Sequence, residues 1–498
     1  MFIGWCEKSI TPDRKIGLAG QFYERVSHGV ETPITCTAWA VETGGESMII
    51  CSCDLVKVGE QLVDAVRDEL KRKNIPGLDL SKIIFCATHV HTAFVYRSGN
   101  RVDTGSALDV LKKYIPADRK YVSLVPPDAD GAMTPDEAFD FLVPRIAACV
   151  AEAWLNRAEG GYKTAFGRAP VGMNRRVCFR DGSAKMWGDT NSPDFDALEG
   201  GNDNGIEMLF TYTPEGTLTG IVANIACPAQ VMEHRSVISS DYWGKVRILL
   251  REKYGEDLKI LGLCSAAGDQ CPRDLIRWVE PETPICDPNI RRVNVPERDA
   301  DPSMFDVKGT WTAARRIAAE MVWALEDAAE KPLITAPALT HTAEWVDLPL
   351  RRVTEADKTE AEEALRSFVE TKTGEFSYED SAAMHVYAGT IARYELQKTV
   401  KDIPIELHVA RLGDLAFATN PFELFLDYGN QIRARSLARQ TFLIQLANGA
   451  YSYLPTARAE KGGHYSAYVS SGVTGHEGGA KLVAETLARV NGLFADEK

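Results

Sequence analysis

The first ninety residues alternate between the apolar patterns of strands and of helices. Residues 37–43 and 47–56 are apolar runs on either side of a Gly-Gly pair, which predicts a β-hairpin. Residues 58–75 place apolar side chains at helical spacing and stop before a Pro-Gly pair, which predicts a helix. Residues 81–93 form the next largely apolar run and predict a further strand. This strand–helix–strand order is typical of an α/β fold.

The alternation continues to the end of the chain. Residues 204–227 predict a second hairpin, residues 241–255 and 310–331 predict helices, and strand-like patterns return at residues 404–420 and 440–456. The pattern weakens at about residues 97–132 and becomes densely charged at about residues 354–385, so we predict insertions there. We therefore predict an α/β protein with mixed β-sheets and flanking helices, built as one large interleaved domain of residues 1–498.

Composition and charge narrow the class of function. Of the 498 residues, 45% are hydrophobic and 25% are charged, as in ordinary globular proteins. The formal net charge of −14 argues against a nucleic-acid binder, because no basic stripe could gain from counterion release. No apolar run approaches the roughly 20 residues that a membrane span needs. We expect a small-molecule substrate as the partner and leave homo-oligomer formation open.

Cysteine usage and the N-terminus suggest a cellular location. The eleven cysteines form no repeated Cys-x-x-Cys framework, and the first residues lack the basic start and long apolar core of a secretory signal. Free thiols without an export signal are typical of a reducing compartment. We therefore predict a cytoplasmic protein.

The histidine pair near the end of the predicted strand at residues 81–93 is the first candidate for chemistry. His89 and His91 stand two positions apart in Thr-His-Val-His-Thr. Alternate side chains of a strand project from the same face, so this spacing would direct both imidazoles into one cleft. Two interpretations stay open at this point. The pair either supplies metal ligands or acid/base groups, or consists of two polar residues that close a strand.

Further polar side chains lie in segments that follow predicted strands. Cys271 stands in a small-residue loop after the apolar run at residues 259–264, where α/β proteins bind ligands. Glu423 stands beyond a strand and just after a proline, and residues 448–468 are rich in tyrosine and glycine. Residues 223–244 contain four side chains of the types that bind or support zinc: Cys227, Glu233, His234 and Asp241. Taken singly, each of these residues is more typical of a structural role.

Taken together, these segments resemble the neutral (non-lysosomal) ceramidases, which are zinc-dependent amide hydrolases. Residues 88–92 resemble the family's Thr-His-Thr-His-Ser, residues 268–272 its Gly-Asp-Val-Ser-Pro, and residues 238–244 its Ile-Ser-Ser-Asp-x-x-Gly. The opening residues 6–13, Met-Asn-Arg-Arg at 173–176, and Tyr-Leu-Pro-Thr at 453–456 with a tyrosine twelve positions after Tyr453 are also similar to family motifs. The six motifs keep their order, so the resemblance covers essentially the whole chain.

The resemblance implies roles for particular residues. His89, Glu423 and Tyr453 would be zinc ligands, and His91 would act on the substrate carbonyl or its oxyanion. Cys271 stands where the family has its active-site serine. Two more residues would hold or polarise the substrate: Arg175 and Tyr465.

One ligand of the family is missing from this chain. The position of the family's second histidine ligand falls on Cys227, whose thiolate would be a good zinc ligand. Glu233 or His234 could instead supply the missing ligand, or the metal could be lost. These alternatives stay open at the level of the sequence.

The resemblance implies a hydrolase in which zinc-activated water attacks a C–N amide bond. We expect neither the family's secretory start nor its C-terminal immunoglobulin-like domain, and an acidic, cytoplasmic protein without a membrane-docking segment favours a small, soluble amide, ester or glycoside-like substrate over ceramide. Two alternatives remain. One is a metal-free hydrolase with Cys271 as nucleophile and His91 as base, and the other is a non-catalytic relative that binds a sugar or lipid.

Overall fold

Strands form the framework that carries the candidate site. The computed structural model describes residues 1–21, 23–119, 131–276 and 306–495. Its strands are β1 (Phe2–Ser9), β2 (Thr35–Thr43), β3 (Glu46–Cys53), β4 (Ile83–Ala87), β5 (Ala158–Glu159), β6 (Gly161–Arg168), β7 (Met173–Asn174), β8 (Arg176–Phe179), β9 (Ala184–Met186), β10 (Phe195–Leu198), β11 (Gly205–Tyr212), β12 (Leu218–Ile225), β13 (Lys259–Cys264), β14 (Gln270–Cys271), β15 (Leu339–Pro349), β16 (Asp402–Leu412), β17 (Leu415–Thr419), β18 (Glu423–Leu424), β19 (Gln440–Ile444) and β20 (Tyr453–Leu454).

Three of the helices begin at a capping box. Thr134, Thr354 and Ser377 each form a capping box with an acidic residue three positions later. None of the helices in the described ranges is long and apolar enough to cross a bilayer. The helices are α1 (Glu60–Lys73), α2 (Ala107–Tyr114), α3 (Pro135–Leu155), α4 (Asp241–Tyr254), α5 (Asp306–Ala329), α6 (Glu355–Thr371), α7 (Tyr378–Leu396), α8 (Leu426–Arg435), α9 (Ala457–Gly462) and α10 (His476–Gly492).

Three sheets repeat one topology. Their strand orders are β4-β3-β2-β1-β5, β13-β12-β11-β6 and β15-β16-β17-β19. In each sheet three antiparallel strands are followed by a helix and a fourth strand, which pairs parallel to the third. The crossover helices are α1, α4 and α8. These mixed sheets with flanking helices confirm the predicted α/β class.

The inner faces of the three sheets share one apolar core. Trp39 of β2 is fully buried there, with its ring 6.1 Å from that of Trp5 and 6.0 Å from that of Phe417. The outer faces pack against helices: α1 and α3 cover the first sheet, α4 and α5 the second, and α8 and α10 the third. Each sheet is therefore apolar on both sides, as expected for strands that sit between a helical layer and other sheets.

Helices α2, α6 and α7 share a small apolar core of their own, which we call the cap. Its buried side chains include Leu111, Leu365, Phe376, Met384 and Ile391. The cap contains parts of both predicted insertions, although residues 120–130 lie outside the described residues. The assignment of these segments as insertions stays a prediction.

Candidate functional site

The candidate site lies where the parallel strand pairs of the three sheets meet. The Gln445 amide donates to the Cys264 carbonyl at 3.0 Å, and the Asn448 amide donates to the Phe85 carbonyl at 2.8 Å, so β4, β13 and β19 end side by side. Loops that follow parallel strands leave from the same edge of a sheet. The loops and short strands that follow this junction carry most of the residues that the sequence singled out: His89, His91, Cys227, Glu233, His234, Cys271, Glu423 and Tyr453.

His89 follows strand β4 instead of lying on it. The strand ends at Ala87, and His89 has a φ of 60°, in the left-handed region that few residues other than glycine adopt. The alternation of a strand therefore does not orient the histidine pair, and that part of the prediction was wrong. The turn brings Nδ1 of His89 to 2.6 Å from the Val56 carbonyl oxygen. A carbonyl oxygen only accepts hydrogen bonds, so Nδ1 carries the proton. In the neutral imidazole the lone pair of Nε2 can then bind a metal ion or accept a hydrogen bond.

His91 faces His89 across this turn, and the ion pair of Glu233 and Arg273 lies on the Nδ1 side of its ring. The two Nε2 atoms are 3.4 Å apart, with the rings nearly perpendicular at 88°. Nδ1 of His91 lies 3.4 Å from Oε2 of Glu233, and Oε1 of Glu233 lies 3.0 Å from Nη2 of Arg273. Burial lowers the pKa of His91 to about 4. Burial opposes the charge of Glu233, but Arg273 and His91 outweigh it and lower the pKa of this carboxyl to about 2.

Glu423 and two tyrosines form the other side of the site. Oε2 of Glu423 lies 3.3 Å from Nε2 of His89, and the short strands β18 and β20 place Glu423 beside Tyr453. The Tyr453 hydroxyl accepts a hydrogen bond from Arg175 at 3.2 Å and lies 3.2 Å from the Tyr465 hydroxyl. Burial raises the pKa of both tyrosines, so both phenols stay protonated at neutral pH. Both can therefore donate a hydrogen bond to a substrate oxygen.

The structure does not bring Cys227 to the imidazoles. Its thiol is buried in the core and donates to the Val171 carbonyl at 3.2 Å, and burial raises the pKa of this thiol. Cys271 is also fully buried, and its thiol donates to the Arg273 carbonyl at 3.2 Å. Burial raises the pKa of the Cys271 thiol to about 12, so little thiolate exists at neutral pH.

His234 and Asp241 serve local structure instead of facing the histidine pair. Nε2 of His234 lies 4.0 Å from Oδ1 of Asp306, and burial lowers the pKa of His234 to about 4. The Asp241 carboxylate accepts backbone hydrogen bonds from Met232 at 2.9 Å and from Tyr242 at 2.8 Å, at the start of α4. Asp241 therefore fixes the loop that carries Glu233.

A cavity of about 600 Å³ opens onto the site. The two imidazoles, Glu423, Tyr453 and Tyr465 line it, and the cap contributes residues 382, 383, 385 and 386 to the lining. Lys57, on the loop after β3, lines the cavity as well. The cavity is large enough for a small-molecule substrate, and it gives such a substrate direct access to the histidine pair.

Sequence reasoning missed two features of the site. It singled out Glu233 as a replacement ligand, whereas the structure places Glu233 behind His91 in contact with Arg273. It also missed Lys57. The sequence did contain a signal for Lys57. Lys57 follows a predicted strand, and α/β proteins bind ligands at the carboxyl ends of their parallel strands.

Two solved structures are similar to this fold. Neutral ceramidase from Pseudomonas aeruginosa aligns with a TM-score of 0.65 at 17% identity, over 98% of this chain and 73% of that chain. A ceramidase complexed with C2 aligns with a TM-score of 0.66 at 14% identity, over 99% of this chain and 75% of that chain. No protein-family model and no curated protein sequence matches the chain.

These alignments extend over nearly the whole chain, and they confirm the resemblance found in the sequence motifs at the level of the fold. At such low identity the similarity carries the fold alone. The chain has the fold of the neutral ceramidases.

Proposed function

We propose that this protein is a zinc-dependent hydrolase that cleaves a C–N amide bond of a small, soluble substrate. The observation that carries the proposal is the spacing of donor atoms around Nε2 of His89. This atom lies 3.4 Å from Nε2 of His91 and 3.3 Å from Oε2 of Glu423. Ligands about 2.0–2.1 Å from a tetrahedral zinc ion are separated by about 3.3 Å.

The side-chain types at the site are ones that zinc prefers, although their arrangement is more open than that around a bound metal ion. Among the described residues, no three or more His, Cys, Asp or Glu side chains are grouped as a bound metal ion would require. Imidazole and carboxylate are nevertheless preferred zinc ligands, and the two distances from Nε2 of His89, to His91 and to Glu423, match the separation of ligand atoms around one zinc ion. His89, His91 and Glu423 would hold the ion, and the Tyr453 hydroxyl lies next to Glu423 as a fourth donor.

In this proposal His91 supplies the ligand that Cys227 was expected to provide. The Glu233 carboxylate lies 3.4 Å from Nδ1 of His91, and a proton on Nδ1 would leave Nε2 available as a ligand atom. A carboxylate behind a metal-binding histidine fixes its tautomer and orientation. Arg273 holds Glu233 ionised for this task.

Each remaining residue of the site acts on the substrate directly or through a neighbour. Bound zinc would polarise the scissile carbonyl and make its water nucleophilic at neutral pH. The Tyr465 phenol faces the cavity and can donate to the oxygen that gains charge. Arg175 donates to the Tyr453 hydroxyl and to the Gly268 carbonyl at 3.0 Å, so it positions Tyr453 beside Glu423.

The structure favours this mechanism over a cysteine nucleophile. Cys271 is fully buried, its thiol is engaged with a backbone carbonyl, and its pKa is raised. A catalytic thiol instead needs a lowered pKa and access to the substrate. The predicted cytoplasmic location and any self-association stay predictions.

Metal content tests the proposal. We expect about one zinc ion per chain in the purified protein by elemental analysis, and loss of this zinc in His89→Ala and His91→Ala. Glu233→Gln should weaken zinc binding about 10- to 100-fold, because it removes the anionic partner of His91. His476→Ala is the matched control, since His476 is half exposed and pairs with Glu460 at 2.8 Å.

Two results would contradict the proposal. Zinc retained in His89→Ala would remove the histidine pair as the metal site, and zinc lost in Cys227→Ala with the fold intact would restore the cysteine as ligand. Hydrolysis of a panel of small N-acyl amides, with and without added zinc, then tests the reaction. A zinc-loaded protein that cleaves none of them would favour the non-catalytic binding relative.

A further inference from the structure

We propose that Lys57 forms an anion subsite beside the reaction centre, and that the substrate is an amide carrying a carboxylate a few bonds from the scissile carbonyl. A compound of the N-acyl amino acid class has this arrangement. The inference rests on the proposed hydrolase function for the identity of the scissile bond. It concerns a different contact, between a lysine and the acidic end of the substrate.

The backbone fixes Lys57 next to the histidine pair. Lys57 follows β3, which pairs parallel to β4, so its loop and the loop of His89 leave from the same edge. The Val56 carbonyl accepts the hydrogen bond from His89 at 2.6 Å, and the Lys57 carbonyl accepts one from the Tyr96 hydroxyl at 2.9 Å. Both bonds anchor the main chain, and Lys57 lines the cavity together with Glu423.

The Lys57 amine has no committed partner within the described residues, where it forms neither a hydrogen bond nor an ion pair. The nearest acids along the chain are engaged elsewhere. Asp54 is bonded to Arg247 at 2.6 and 3.0 Å, and Glu60 accepts from the Arg101 amide at 2.6 Å. Burial lowers the pKa of Lys57, and Glu423 opposes this effect electrostatically. An anion that enters the cavity would stabilise this half-buried ammonium group through a charge-assisted hydrogen bond.

The balance of charge around the site also favours an anionic substrate. Glu233 and Arg273 neutralise each other, and four further charged groups lie around the histidine pair: Glu423, Lys57, Arg175 and Arg25, which donates to the His91 carbonyl. These four sum to +2, and a divalent metal ion would raise the sum to +4. The cavity is therefore locally cationic in a chain whose formal net charge is −14. Such a field attracts an acidic substrate, and the carboxylate would pair with the amine that lacks a partner.

The test uses uncleavable ketones in which a methylene replaces the amide nitrogen. Isothermal titration calorimetry compares 4-oxododecanoic acid with the uncharged 4-oxododecanamide, on the zinc-loaded protein. We expect the acid to bind about ten- to hundredfold more tightly, the range of a charge-assisted hydrogen bond. Lys57→Met should bring the two affinities to within about twofold by the same reasoning. Lys57→Arg, which keeps the charge, should retain the preference.

Three results would overturn the inference. These are equal binding of the two ketones by the unaltered protein, a preference that survives in Lys57→Met, and no binding of either ketone. A third probe, 3-oxoundecane-1-sulfonate, distinguishes the kind of anion, and tighter binding of the sulfonate would overturn the carboxylate assignment. Zinc content and the melting temperature of both variants establish that they are folded.

Hydrolysis is measured separately, with N-nonanoylglycine and N-nonanoylglycinamide. If the protein binds the acidic ketone preferentially but cleaves neither amide, the proposed function fails and the anion subsite stands. If it cleaves the neutral amide as readily as the acidic one, and Lys57→Met leaves both rates unchanged, the hydrolase stands and the subsite fails.

Discussion

Gly20 sets the position of His91 by leaving room for its ring. Gly20 has a φ of +93°, and a Cβ atom there would lie 2.7 Å from both Cα and Cγ of His91. Such contacts are shorter than real side chains allow, so any other residue would displace the histidine. The adjacent main chain is held as well, because the Arg25 guanidinium donates to the His91 carbonyl at 2.7 Å.

We therefore expect Gly20→Ala to weaken zinc binding by more than about tenfold, since a ligand shifted by a fraction of an ångström loses its coordination geometry. Titration with a chromophoric zinc chelator measures the affinity. Gly182→Ala is the matched control, because Gly182 has a similar φ of +86° but a Cβ atom there would meet no other atom within 4 Å. Both variants carry the same backbone strain, so equal zinc affinities would show that Gly20 does not position His91.

At the scale of the elements, strands β15 and β16 carry a second buried polar network. Nε2 of His341 lies 2.9 Å from Nδ1 of His408, and Nε2 of His408 lies 2.9 Å from Glu406. Arg67 reaches the same carboxylate from α1 at 2.5 and 2.9 Å. Burial opposes the charge of Glu406, but His408 and Arg67 outweigh it and lower its pKa to about 2.

This network predicts a specific loss of stability in acid. A carboxyl whose pKa falls from 4.5 to about 2 on folding contributes stability above pH 4.5, about 3 kcal/mol, and loses it as the pH falls towards 2. We expect Glu406→Gln to be less stable than the unaltered protein at pH 7, with the difference shrinking by about 2 kcal/mol at pH 3. Urea unfolding at the two pH values measures both quantities.

Glu344→Gln is the control for this prediction. Glu344 lies on the neighbouring strand β15 and forms an exposed ion pair with Arg489 at 3.0 Å. Exposed pairs contribute about 1 kcal/mol or less. A difference between Glu406→Gln and the unaltered protein that stays constant from pH 7 to pH 3 would contradict the assigned pKa.

The apolar periodicity of the sequence predicted the positions of helices and strands well, but it did not predict where the strands end. The hairpin of β2 and β3, helix α1, and helix α4 lie where the apolar periodicity predicted them. The end of β4 was missed because apolar residues continue past it, at Val90 and Ala93, into a turn that is buried by tertiary packing. Residue type was enough to nominate His89 and Glu423. It could not assign Glu233 to His91, because that contact joins loops from two sheets.

At the scale of the whole molecule, the cap has an apolar core distinct from those of the three sheets. Its helix α7 also contributes Leu396 to the core of the third sheet, and Ala382, Ala383, His385 and Val386 of α7 line the cavity. The cap therefore forms part of the cavity wall, whereas segments from the sheets carry the candidate reacting groups. A change in the cap core should loosen the cap and leave the sheets folded.

Leu365→Ala tests this separation. Leu365 is fully buried in the cap core, and its truncation should cost the cap about 2–5 kcal/mol. We expect faster hydrogen–deuterium exchange in α6 and α7, with unchanged exchange in β16. Leu108→Ala on the exposed face of α2 is the control, since Leu108 is 41% exposed. Loss of protection in β16 would show that the cap and the sheets unfold as one unit.

The threefold repetition of the sheet topology has a consequence for how the proposed metal site can change during evolution. Each sheet delivers its loops to the same junction, so a donor lost from one loop has neighbours on the other two within a few ångströms. In our proposal the loop after β12 has lost its histidine and now supports His91 through Glu233. Inheritance of the scaffold thus need not preserve any particular ligand, and lineages can exchange the members of the centre one at a time while the reaction continues.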